Sequence, residues 1–186
     1  MLQIKRSKDN RVVKCILHRI ADIPGGVTVY TADLGGNAIL EGTPLSKPSN
    51  GVSHVVKTAK VLTNATDSAT TIDVAKGHHF KVGQYIGNGT KAQEITAIDK
   101  SNAAKDVITV TATLGVALTA GDVLVECSGT DDAAKYAAFA IAGSNYDVKA
   151  GENLFVDAWI HAVVREGNAP SVDSGIKSAL KNVSYL

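Results

Sequence analysis

The sequence predicts a mainly β protein: a discontinuous β-sandwich or barrel-like domain that carries an inserted small β-barrel and ends in a short C-terminal helix. Three observations lead there. Valine (21) and threonine (15) are abundant among the 186 residues. Such β-branched side chains lose rotamer freedom in helices but pack well on a pleated surface. The 17 glycines fit a chain that turns often. Apolar runs are short, and clusters of Asn, Asp, Gly and Ser separate them, as hairpins and meanders require.

Taken in order, VTVYT (27–31) follows Ile-Pro-Gly-Gly, and HVVKTAKVL (54–62) follows Pro-Ser-Asn-Gly. Then come TTIDVA (70–75), GQYIG (83–87), QEITAID (93–99), DVITVTAT (106–113), DVLVE (122–126) and LFVDAWIHAVV (154–164). Along 107–111, Val107, Thr109 and Thr111 share one face while Ile108 and Val110 share the other, the period of a half-buried strand. Two segments read as helical. Val172, Ile176, Leu180 and Val183 recur at helical spacing after Pro170-Ser171, which predicts a helix over about 172–182 with Ser171 as its cap. TDDAAKYAA (130–138) has Thr130 as a cap candidate and acids in its first turn, but is short enough to be a loop with one helical turn.

Residues 57–126 hold about five short strands with tight connections and read as a unit. Residues 24–56 and 127–186 each hold too few strands to bury a sheet alone, so they are expected to form one discontinuous domain around that insertion. Residues 1–23 are left as a basic N-terminal arm. Residues 1–20 contain six Lys/Arg and one acid, +5 in a chain whose total is +1. A basic arm on a mildly acidic body points either to an anionic partner surface, protein or nucleic acid, or simply to a solvated terminus.

No apolar run approaches the roughly 18 residues of a spanning helix, and the N-terminus lacks the apolar core of a secretory signal, so cytosolic synthesis without export is expected. Cys15 and Cys127 match no C-x-x-C spacing and are expected as free thiols.

The densest group of chemistry-bearing residues is TTIDVAKGHHFKVGQYI (70–86). His78 and His79 would point to opposite faces of a strand, and only an irregular turn could aim both inward. No further ligand stands at metal-binding spacing, so no metal is expected, and the stretch reads as two strands joined by a turn at Gly77. One histidine is expected packed and the other exposed. Asp73 and Lys76 are expected solvated, and Ile72, Val74, Phe80, Val82 and Ile86 buried. Lys76 precedes Gly77 and no helix follows, which excludes a phosphate-binding loop. There is no G-x-S-x-G elbow, and Asp131-Asp132 reads as a helix start rather than a catalytic pair. With no acid, base or nucleophile constellation, an enzyme is not expected, nor any cofactor. The arm has no aromatic residue to stack on bases, so sequence-specific nucleic-acid binding is not expected.

AILEGTPL (38–45), KTAKV (57–61), KGHHFKVGQYI (76–86) and ITAID (95–99) resemble blocks of the head fibre and capsid decoration proteins of tailed bacteriophages. AIAGSNYDVKAGENLFVDAWIHAVVRE (140–166) and IKSALKNVSYL (176–186) are similar to the same group, so the resemblance covers most of 24–186. It implies a non-enzymatic virion structural protein, a homotrimer on the capsid exterior assembled in the bacterial host cytoplasm, with the major capsid protein as partner. Trimerisation would also cover sheet edges that a split domain leaves open. Lys5, Arg6, Lys8, Arg11 and Lys14 are the capsid-anchoring candidates. Phe155, Trp159, His161 and Val163, on the strand with the single tryptophan, are the trimer-interface or core candidates. The rival is a carbohydrate- or receptor-binding β-module of a phage tail or adhesin, which would use Tyr30, Tyr85, Tyr136 or Tyr146 to stack on sugars.

Overall fold

The computed structural model describes residues 14–149 and 151–186. The chain is mainly β, with one short α-helix among those residues. Strands β1 (Ile16–Asp22), β2 (Val27–Val29), β3 (Ala38–Ile39) and β4 (Pro44–Ser46) come first. Six more follow: β5 (Thr58–Lys60), β6 (Thr71–Val74), β7 (Tyr85–Gly87), β8 (Ala92–Asp99), β9 (Asp106–Val110) and β10 (Val123–Cys127). The remainder are β11 (Ala138–Ala142), β12 (Tyr146–Asp147), β13 (Leu154–Val156), β14 (Ala158–Val164), helix α1 (Ser174–Ala179) and β15 (Val183–Tyr185).

One five-stranded sheet runs β1-β14-β11-β4, with β15 pairing parallel to β14. Two small ribbons, β12-β3 and β13-β2, accompany it. A separate six-stranded sheet has the order β5-β10-β7-β8-β9-β6 and draws all its strands from residues 58–127. Alternation builds its core. On β9, Asp106, Ile108 and Val110 are buried while Val107 and Thr109 are half-exposed. Ile72, Val74, Phe80, Ile86, Ile95 and Leu124 fill the same interior.

This sheet is not a closed barrel. Its outer strands meet at a single bridge, Val61 to Val74, flanked by Leu62 N–H to Asp73 O (2.9 Å) and Ala75 N–H to Lys60 O (2.8 Å). Strand β5 is three residues long, and beyond Val61 the chain turns outward, so the seam has no length to become a ladder. The short seam still covers part of both edges.

Several expectations need correction. The arm does not extend to residue 23: residues 16–22 form β1, paired antiparallel to β14. Ile16 and Cys15 are buried in the core under that sheet. The run 154–164 is two strands, not one. At Asp157 the backbone N–H donates to the Tyr146 hydroxyl (2.9 Å) instead of a ladder partner, so β13 joins β2 and β14 joins a different sheet. Residues 130–138 form no helix. Helix α1 is shorter than 172–182, and its cap is Asp173, whose Oδ1 accepts from Ile176 N–H at 2.7 Å, rather than Ser171. Ile176, Leu180, Val172 and Val183 then pack together with Ala162 and Val164 of β14.

Candidate functional site

Two regions concentrate the side chains of interest. The first is the outer strand of the five-stranded sheet. Lys5, Arg6, Lys8 and Arg11 lie outside the described residues. Lys14 is exposed and leads directly into β1, whose one partner strand among the described residues is β14. Leu17 and Ile20 of β1 are each 48% exposed. The base of this segment is pinned to the buried Glu41: Cys15 N–H donates to its Oε2 (2.9 Å) and the Arg19 guanidinium to its Oε1 (3.0 Å). Arg19 also donates to Gly143 O and lies 5.3 Å from the Trp159 ring centre. Glu41 was not singled out by sequence, because an acid within EGTPL carries no spacing signal.

Trp159, His161 and Val163 alternate along β14, so they share one face, and all three are half-buried. Phe155 stands apart on β13 and is 62% exposed, which removes it from the core.

The second region is where the chain passes between the two larger sheets. The Lys57 ammonium is fully buried and is shared by Asp33 (3.3 Å) and Glu126 (3.2 Å). Glu126, itself buried, holds a second cation, Lys135, at 2.8 Å. The ring of His54 stacks on Tyr136 at 4.3 Å, and its Nδ1 lies 3.9 Å from Asp33. Buried ions need this kind of mutual neutralisation, since each alone costs several kcal/mol (roughly) to strip of water. No sequence spacing joins 33, 57, 126 and 135; the β5–β10 pairing brings Lys57 beside Glu126.

The histidine pair sits next to this network. Residues 78–81 are irregular rather than extended strand, so the alternation rule does not apply and both imidazoles turn inward, each 5% exposed. The expected division into one packed and one exposed ring is therefore wrong. His78 Nδ1 accepts from Phe80 N–H (3.2 Å), and its Nε2 lies 3.1 Å from Asp106 Oδ2. Burial lowers the pKa of His78, with the Asp106 carboxylate opposing the shift. Burial, then the Lys57 charge, lowers that of His79 to about 4. Both rings are neutral at neutral pH. Lys76 and Asp73 are not simply solvated: Lys76 pairs with Asp106 at 2.6 Å and Asp73 with Lys105 at 2.6 Å. Val82, expected in the core, is 59% exposed because it lies in the turn before β7.

Among the described residues no group of three or more His, Cys, Asp or Glu is placed to hold a metal ion. Cys15 and Cys127 are free and buried. Burial pushes the first thiol up to about 12 and the second to about 11, far from the thiolate a nucleophile needs. Of the four tyrosines considered for sugar stacking, Tyr136 is covered by His54 and Tyr146 bonds Asp157. Tyr85 is half-buried, and Tyr30, 37% exposed, packs tilted against His54 with ring centres 5.4 Å apart. Comparison of the chain with protein-family models, curated proteins and solved structures finds no match.

Proposed function

We propose that this protein is a non-enzymatic structural protein of a tailed-phage virion, carried on the capsid exterior as a homotrimer and held to the major capsid protein. One observation carries the reading. The basic segment that begins the chain runs into an outer strand, β1, whose Leu17 and Ile20 face solvent. Cationic residues followed by exposed apolar ones on a sheet edge suit attachment to an acidic protein surface, with charge steering the encounter and the apolar side chains holding it. The charges of the interior support a scaffold role in turn. Lys57, Asp33, Glu126 and Lys135 neutralise one another, and the two thiols are protonated at neutral pH.

A trimer would present three such segments at once. The second and third contacts then form at high effective concentration, so three weak attachments act as a firm one. Replacing Lys5, Arg6, Lys8 and Arg11 with serine should leave the oligomer intact by light scattering yet strip it from capsids in co-sedimentation. Added salt should have the same effect on the natural chain. Unchanged occupancy of the serine variant on capsids would sink the anchoring role. A stable monomer at micromolar concentration would sink the trimer.

A further inference from the structure

Residues 31–36 (TADLGG) form a loop that the six-stranded sheet grips from several sides. Gly35 N–H donates to His79 O (2.8 Å), and the Gln84 side chain donates to Asp33 O (3.0 Å). Lys81 Nζ donates to Ala32 O (2.7 Å) and Lys100 Nζ to Gly35 O (2.9 Å). Lys57 adds its ion pair to Asp33. The loop lies so close to the His79-Phe80 backbone that a Cβ on Gly35 would overlap Phe80 O, and one on Gly36 would stand 2.8 Å from His79 Nδ1.

The His79 ring is thus trapped beneath the loop, and its Nδ1 is buried without a hydrogen-bond partner among the described residues. The charged and titratable groups facing it are Lys57, Lys100, the neighbouring His78 and Asp33. Asp33 is the one anion of the set; Lys57 holds its Oδ2, and its Oδ1 is buried without a hydrogen-bond partner among the described residues. His78 differs, since Asp106 stands opposite it and balances Lys76 and Lys100. A proton on His79 makes both ring nitrogens donors and adds a positive charge beside two lysines. In the closed loop Nδ1 has no acceptor among the described residues, and the single carboxylate facing the ring is already shared with the Lys57 ammonium, so two lysine charges stand against one anion. Lifting the loop would give the imidazolium to water.

We propose that His79 is an acid-sensitive latch, whose protonation releases loop 31–36 from the six-stranded sheet and loosens the junction between the two larger sheets. The sign follows from linkage. The closed state holds His79 at about 4 against an ordinary 6.5, so the open state binds the proton first as pH falls. If the lifted ring regains its ordinary value, the opening equilibrium rises roughly 30-fold from pH 7.5 to pH 5 and about 150-fold by pH 4. The pH 5 point is the informative one, because it lies above the ordinary carboxylate range.

Hydrogen exchange of the full chain, read by mass spectrometry at pH 7.5 and pH 5 and corrected for intrinsic exchange, tests this. Peptides covering 31–36 and 78–84 should lose about 30-fold in protection, while peptides within β8 and β9 keep theirs. His79→Gln, which cannot titrate, should abolish the pH dependence. An unchanged loop in the natural chain, or the same acid loss in His79→Gln, overturns the latch. If that variant fails to fold, NMR titration of the natural chain's imidazoles decides. A His79 ring that protonates near pH 6.5 while the loop amides stay protected also overturns it.

Discussion

Lys57→Met is the most informative single substitution. The ammonium is completely buried and lies 3.2–3.3 Å from two carboxylates. At an effective dielectric of about 20, each such contact is worth roughly 5 kcal/mol before desolvation is subtracted. The measured outcome of removing one partner from a buried ionic group is smaller, about 3–5 kcal/mol, and reflects the charge left behind. Here Glu126 keeps Lys135 at 2.8 Å and the Asp33 side chain retains 18% exposure to water, so the lower end, about 3 kcal/mol, is expected. For a chain of this size that corresponds to a melting temperature lower by roughly 6–12 °C. Urea unfolding followed by the fluorescence of Trp159, the single tryptophan, measures it directly. The double variant Lys57→Met with Asp33→Asn should regain part of the loss, because Asp33 is the carboxylate left without its lysine, whereas Glu126 still has Lys135. Salt should matter little, since the pair is shielded from solvent ions. A Lys57→Met protein within about 0.5 kcal/mol of the natural chain would refute the reasoning, and so would a double variant less stable than the single one.

Ellman's reagent should react with neither Cys15 nor Cys127 in the folded protein at pH 8 and with both in denaturant; rapid native reaction would contradict their burial and raised thiol pKa values. Asp173→Ala removes the cap of α1 and should cost about 1 kcal/mol in urea unfolding, with Asp173→Asn recovering most of it and Ser171→Ala costing almost nothing. Gly35→Ala forces its Cβ onto the Phe80 carbonyl and should destabilise by about 1–3 kcal/mol, whereas Gly89→Ala, with open space around it, should show only the milder cost of its positive φ; equal losses would mean the loop yields freely.

What sequence reveals about this fold follows the range of the interactions. The strands β6 to β10 were legible because two-residue alternation of β-branched residues is local, and turn residues mark their ends. Strands β3, β4 and β12 are two or three residues long and carry no period to detect. The alanine-rich β11 (AFAIA) has helix-favouring composition, and its place between β4 and β14 overrides that preference. Strand β1 was hidden by its own charge, since Arg19 reads as solvated until Glu41 is seen opposite. Strand geometry sends two adjacent histidines to opposite faces, yet 78–81 is irregular, so burial of both rings has no local signature. The Lys57 cluster was illegible for a simpler reason. Its members come from three distant parts of the chain, around 33, 57 and 126–135, and the pairing of β5 with β10 is what sets Lys57 beside Glu126.

That pairing has a further consequence. Thr58 stands opposite Val125, and the amide of Glu126 bonds the carbonyl of Lys57, so the chain leaves and rejoins its other sheet at one strand spacing. To the rest of the molecule, everything between these two residues is a loop whose ends are already tied. The entropy of closing a loop rises only with the logarithm of its length, about 0.6 kcal/mol for each doubling. Residues can therefore be added to or taken from the far turns of the six-stranded sheet at little expense to the sheet that holds β1 and β14. Evolution is free to redraw one surface while the other stays fixed, and a peptide tag grafted into the exposed turn at 66–69, between β5 and β6, would travel with the first and leave the second undisturbed.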